Sequence, residues 1–161
     1  MKKGIIGILG AFMGFAGGII LGRKSTCLNM DKNNSKVDKF KTYYNILNQW
    51  LFLKQSNRNL SEYFNMNNYR TIGIYGMGEL GVRLYEELKN SNIIIKYTAD
   101  KSSSINITDI NVICADDMTD DVDVIVVTPV FAMDDIKDML EKYLNCPIIS
   151  LEDVVYETSV I

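Results

Sequence analysis

The spacing of apolar positions divides the chain into segments of different kinds. From Gly4 to Gly22 nineteen consecutive residues carry no charge, between Lys2-Lys3 and Arg23-Lys24. Coiled as a helix, that run spans roughly 28 Å, enough for a bilayer core. Residues 25–36 are polar and read as a linker. Val37, Phe40, Tyr44, Leu47 and Leu51 then recur at 3-4-3-4 spacing, the pattern of a helix with an apolar seam, widened by Tyr43, Ile46 and Trp50. A seam of barely two heptads serves either a dimer or packing onto the chain's own domain, and its brevity favours the second. Ser56-Asn57-Arg58-Asn59 breaks the helix, and Leu60, Tyr63 and Phe64 predict a short second one.

Beyond residue 70 the period alternates between strand and helix. Thr71–Tyr75 is a short, Ile-rich run; Leu80, Leu84 and Leu88 share one helix face, opposite Arg83, Glu86, Glu87 and Lys89; Ile93–Thr98 is a second apolar run. Val112-Ile113 predicts an edge strand, Val124–Thr128 a central parallel strand stopped by Pro129, and Ile136, Met139, Leu140 and Tyr143 an amphipathic helix. Pro147-Ile148-Ile149 makes the last strand, with Leu151–Tyr156 as a short tail. The expected fold is α/β, a Rossmann-like parallel sheet of five strands in the order 3-2-1-4-5, preceded by a transmembrane helix and an amphipathic helix. The expected divisions are an anchor at 1–24, a linker at 25–36, a helical segment at 37–68 and the nucleotide-binding domain at 69–161.

The chemistry lies between the first strand and the first crossover helix. Gly76-Met77-Gly78-Glu79-Leu80-Gly81 matches GxGxxG. The first glycine permits the tight turn, the second lets backbone approach a pyrophosphate, and the third lets the helix pack close to the strand. Open N–H groups at the helix start then face the anion. Asp100 stands nineteen residues past Gly81, where a carboxylate accepts from adenosine ribose hydroxyls, which favours NAD over NADP; Lys101 beside it softens that preference. Thr128 and Pro129 are expected across the crevice from Gly78. The expected ligand is NAD, with NADP or a nucleotide sugar as alternatives. The same spacing also serves a Rossmann-like unit whose glycines do nothing but pack.

Charge changes the picture of what surrounds that unit. Net charge is −3, but residues 1–70 carry eleven Lys/Arg against three Asp/Glu, and residues 71–161 carry six against seventeen. A basic N-terminal part suits an anionic membrane surface, and an acidic remainder repels a polynucleotide. The positive-inside rule applied to Arg23, Lys24, Lys32, Lys36, Lys39 and Lys41 predicts a single-pass cell-membrane protein with its C-terminal domain in the cytoplasm. Gly10, Gly14, Gly18 and Gly22 line one helix face, and with the Val37–Leu51 seam they predict a homodimer. A cleaved signal peptide is the alternative, but no A-x-A pattern follows the run. Three unpaired cysteines, Cys27, Cys114 and Cys146, fit a reducing compartment.

The segment IYGMGELGVRLYEEL, the acid at Asp100, Ile110–Ile113 and Val124–Pro129 together resemble a known unit. It is similar to the N-terminal nucleotide-binding domain of membrane-anchored nucleotide-sugar epimerases/dehydratases of bacterial surface-polysaccharide synthesis, over roughly residues 70–153. That resemblance implies nucleotide binding near a membrane glycan pathway. It does not imply the dehydratase reaction, because the resemblance does not take in the catalytic domain such enzymes carry downstream.

No catalytic constellation stands out. The chain has no histidine, which removes histidine bases, a Ser-His-Asp triad and His-ligated zinc. Tyr85-x-x-x-Lys89 mimics a tyrosine–lysine pair but lies behind the phosphate loop. Asp116, Asp117, Asp120, Asp121 and Asp123 lack the glycine and terminal glutamate of a calcium loop and read as a solvated turn. The expected function is a non-catalytic nucleotide-binding module at the membrane, supporting surface-polysaccharide biosynthesis. The alternatives are an NAD-dependent nucleotide-sugar enzyme completed by a partner chain, and a ligand-free interaction protein.

Overall fold

The structure, a computed structural model, describes residues 36–101 and 110–160. The apolar run Gly4–Gly22 and the anchor expected there lie outside them; among the described residues, no helix is long and apolar enough to cross a membrane. Two compact units divide the chain between Tyr44 and Asn45. In the first, residues 36–44 are helical.

The second unit holds the sheet. Its strands are β1 (Thr71–Tyr75), β2 (Ile94–Asp100), β3 (Val112–Cys114), β4 (Val124–Val127) and β5 (Ile148–Ser150), all parallel, in the order β3-β2-β1-β4-β5. That is the Rossmann-like order expected from the alternation of apolar runs. β4 reads Val-Ile-Val-Val and is buried at every position, as a central parallel strand must be. The register of β1 on β2 shifts between Ile72 and Gly73, where the Tyr97 ring lies over Gly73: a Cβ there would come within 2.5 Å of it.

The helical run 36–55, α1, continues into this unit and is followed by α2 (Ser61–Met66), α3 (Glu79–Leu88), α4 (Met133–Leu140) and α5 (Leu151–Thr158). Tyr75, Ala99, Ile125 and Val127 pack on one sheet face with Leu140, Leu144 and Ile148. By strand alternation Ile72, Ile74, Val124 and Val126 point the other way, and all four are buried. α3 packs on β1 and β2 through Leu80, Leu84 and Leu88, all buried.

Two expectations change. The tail after the last strand is helix α5, capped by the Ser150 hydroxyl, which accepts the Glu152 N–H at 3.1 Å, and buried through Leu151, Val154, Val155 and Thr158. α1 docks not by its 3-4-3-4 seam but through Ile46, Trp50 and Leu53, each worth roughly 1.5–3 kcal/mol on burial. Glu87 of α3 fixes that docking. Its carboxylate accepts from the Trp50 indole N–H and, at 2.8 Å, from the Leu60 N–H, and lies 3.3 Å from the Lys54 ammonium.

Candidate nucleotide site

The turn from β1 to α3 is held by contacts directed at its backbone. The Gly76 N–H donates to the Ala99 carbonyl at 2.8 Å, and the Met77 N–H to Asp100 Oδ2 at 2.7 Å. The Thr128 hydroxyl donates to the Gly76 carbonyl, while the Thr128 N–H donates to the Tyr75 carbonyl at 3.0 Å. β2 and β4 flank β1, so the ends of both neighbours clamp one turn. The Met77 side chain is buried.

The three glycines of the motif sit in different surroundings. Gly76 has φ +94°, in the left-handed region, and a Cβ on it would lie 2.4 Å from Pro129 Cδ. A Cβ on Gly81 would lie 2.0 Å from the Gly76 carbonyl oxygen and 3.2 Å from Thr128 Oγ1. Both positions therefore require glycine for the fold alone. Gly78 differs: its backbone is extended, open to any residue, and a Cβ there would meet no atom of the described residues within 4 Å.

Gly78 is also the N-cap of α3, and it supplies no side-chain cap. Its carbonyl accepts a helical bond from the Val82 N–H at 3.0 Å. The first N–H groups of a helix have no intrahelical partner, and the dipole there favours an anion. Glu79, exposed in the first turn, draws on the same dipole with its own carboxylate. Leu80 faces the core, and Lys101 is exposed beside Asp100.

The residues expected at the site thus form two sets. Gly76, Met77, Gly78, Glu79, Leu80, Gly81 and Asp100 converge on one turn. Thr128 and Pro129 meet that turn at Gly76, and Thr128 is buried with its hydroxyl engaged by backbone. Their role in building the turn rests on contacts across 52 residues of sequence, which spacing along the chain does not reveal.

The remaining chemical candidates have structural partners. Burial raises the Tyr75 phenol above its usual range, with Asp100 adding to the effect, so it stays protonated at neutral pH. Burial likewise pushes the Cys146 thiol up, away from the nucleophilic thiolate. The Lys89 ammonium lies 2.6 Å from Glu86 on the surface of α3. Among the described residues no group of acids or cysteines could hold a metal. Instead Asp120 accepts from the Asn145 backbone and side chain at 2.8 and 3.0 Å, Asp121 pairs with Lys96 at 2.9 Å, and Asp123 accepts from Arg70 and Thr71.

No family model matches the chain, and no solved structure matches it. The chain is similar to the UDP-N-acetylmuramoylalanine–D-glutamate ligase of Rickettsia prowazekii (strain Madrid E), 32% identical over 101 residues. The match takes in 58% of this chain and 23% of the ligase, so the chain spans about a quarter of the length of that relative.

Proposed function

We propose that the β1–α3 turn binds the diphosphate of a nucleotide, and that the chain is a nucleotide-binding module rather than a complete enzyme. The observation that carries this reading is Gly78. The chain's own packing accounts for Gly76 and Gly81, but nothing among the described residues needs glycine at 78. A ligand phosphate approaching the backbone does need it. The uncapped first turn of α3 supplies N–H donors at the same point.

The relative's name supports the ligand class, since that ligase acts on a UDP-linked sugar. The resemblance to nucleotide-sugar epimerases/dehydratases of surface-polysaccharide synthesis points the same way. NAD fits the same turn, with Asp100 at the ribose. Binding without turnover is favoured because the groups around the turn serve the fold: Asp100 Oδ2 holds Met77, and Thr128 holds Gly76. The lysine-flanked apolar run at residues 4–22 supports a membrane location, with the nucleotide module on the cytoplasmic side.

Calorimetry with NAD, NADP, a UDP-sugar and UDP tests the reading. Binding below millimolar concentration is expected for at least one of them. Gly78→Val should weaken it at least a hundredfold, about 2.7 kcal/mol, with the unfolding midpoint unchanged. If no nucleotide binds, or the substitution leaves affinity intact, the turn is structural and the reading fails.

A further inference from the structure

At the end of the sheet opposite the glycine turn lies a cleft of about 410 Å³, lined by Asn65, Asn68, Tyr69, Arg70 and Asn92. That size falls within the roughly 300–1,000 Å³ of small-molecule sites, but such sites are lined mainly by apolar side chains. Here three carboxamides, a phenol and a guanidinium form the wall. The wall comes from three segments, and each is pinned. α2 ends in a left-handed Asn68, φ +59°, whose N–H donates to the Asn65 carbonyl at 3.2 Å, while the Tyr69 N–H donates to the Phe64 carbonyl at 2.8 Å. In that helix-closing pattern glycine is the usual left-handed residue; asparagine brings a carboxamide to the same place. Arg70, just before β1, is held on both sides of its backbone. Its N–H donates to Asp123 Oδ2 at 2.7 Å, and its carbonyl accepts the Ile94 N–H at 2.8 Å. Asn92, before β2, pairs its side chain with that of Asn65, donating at 2.6 Å and accepting at 3.4 Å.

We propose that this cleft binds a sugar carrying an acid group, carboxylate or phosphate, at a site separate from the glycine turn. A sugar hydroxyl both donates and accepts hydrogen bonds, so it needs partners of both kinds. A carboxamide offers two N–H donors and an acceptor oxygen with two lone pairs, and the Asn65–Asn92 pairing spends one donor and one lone pair of each. What remains on those two amides, together with the Asn68 amide, presents donors and acceptors side by side. Tyr69 is half-buried and adds an aromatic body with a polar tip. An apolar ligand would strand those polar groups, whereas a polyol meets them. Arg70 sets the charge. Among the residues lining the cleft it alone is charged, and its exposed guanidinium is a planar fork that matches a carboxylate or phosphate. Asp123 lies near enough to feel that charge, but its Oδ2 holds the Arg70 and Thr71 N–H groups. Because the three segments are pinned, binding has little backbone left to order.

The test is calorimetry of the full-length chain, in a detergent without sugar headgroups, titrated with glucuronate, glucose 6-phosphate, glucose and inorganic phosphate. At least one of the two acidic sugars should bind with a dissociation constant on the order of 1 mM or below, and glucose about tenfold more weakly. Arg70→Gln keeps the backbone N–H for Asp123 and should bring the acidic sugar down to the level of glucose. Asn68→Gly keeps the left-handed turn and should weaken the acidic sugar and glucose alike, with helix content unchanged. Gly78→Val, at the other end of the sheet, should leave sugar binding as it is. If neither acidic sugar binds better than both glucose and inorganic phosphate, the proposal is overturned. It is also overturned if either substitution in the cleft leaves affinity intact, or if Gly78→Val removes it, which would put the sugar in the glycine turn. None of these results depends on whether a nucleotide binds.

Discussion

At the N-terminal end of β1, Asp123 accepts the N–H groups of Arg70 and Thr71 at 2.7 and 2.8 Å. Its own N–H donates to the Thr71 hydroxyl and carbonyl, at 3.0 and 2.9 Å. At the C-terminal end of the same strand, Asp100 uses the same device on Met77, one carboxylate oxygen on one backbone N–H. The two ends differ in the backbone beyond the carboxylate. The lower clasp uses donor and acceptor groups of both partners. The upper turn runs into a helix without a side-chain cap, through a glycine whose missing side chain faces open space. Among the described residues the backbone of the lower end is bonded on both sides, while no side chain caps the helix at the upper end, and on the proposed function that is where the ligand sits.

Substitutions at the upper turn should break that contrast in graded steps. Gly81→Val should have the largest effect. Its side chain would drive into the Gly76 carbonyl, a backbone atom that cannot move without dislodging Thr128, and should cost on the order of 3 kcal/mol or more in urea unfolding. Gly78→Val, three residues earlier, should fall within about 0.5 kcal/mol of native stability while losing nucleotide affinity. Equal destabilisation by the two would mean that the turn is closed around Gly78 after all. Asp100→Ala should come next. It removes the acceptor for the Met77 N–H, and loses nucleotide affinity roughly tenfold or more if the carboxylate also meets a ribose. Asp100→Asn keeps an oxygen for Met77 and should recover the stability more fully than the affinity. Urea unfolding and calorimetry on the same preparations separate the two effects.

The sheet order is legible in the sequence because each strand carries a short apolar run, unbroken in β4 and interrupted by Lys96 in β2, bounded by helical periods or turn residues. The glycine turn is legible because its residues are consecutive. The features that stay hidden depend on contacts between distant segments. α5 buries Leu151, Val154, Val155 and Thr158, a helical period, but with three apolar residues among eight that pattern is too brief to set apart from a tail. The 3-4-3-4 seam of α1 is visible as a stripe in the sequence. The burial of Ile46, Trp50 and Leu53, with Glu87 accepting from Trp50 across 37 residues, depends on distant segments that the spacing does not show. The acidic segment 116–123 reads as a solvated turn because the sequence shows charges and not their partners. Asp120 meets Asn145 across 25 residues, and Asp123 meets Thr71 across 52.

The lower clasp yields the smallest effect, and a pH dependence. The N–H groups of Thr71, then Arg70, hold the Asp123 carboxyl below the usual carboxylate range; the Asn145 backbone and side chain do the same for Asp120. A carboxylate whose pKa is lower folded than unfolded adds stability in full above its unfolded value, about 4. That stability is lost as pH falls through the folded value. The native protein should therefore lose stability on acidification below about pH 4, in the direction set by proton uptake on unfolding. Asp123→Asn keeps an oxygen for Arg70 and Thr71 but loses the charge, so it should be slightly less stable at pH 7. For so exposed a group, screening limits the loss to on the order of 0.5 kcal/mol. Its acid limb should be shallower than native, with the remainder coming from Asp120. Gly78→Val, altered only at the other end of the strand, should retain the native acid limb. Thermal unfolding between pH 2.5 and 7 would measure all three, and an Asp123→Asn curve parallel to native would show that the clasp does not depend on the charge.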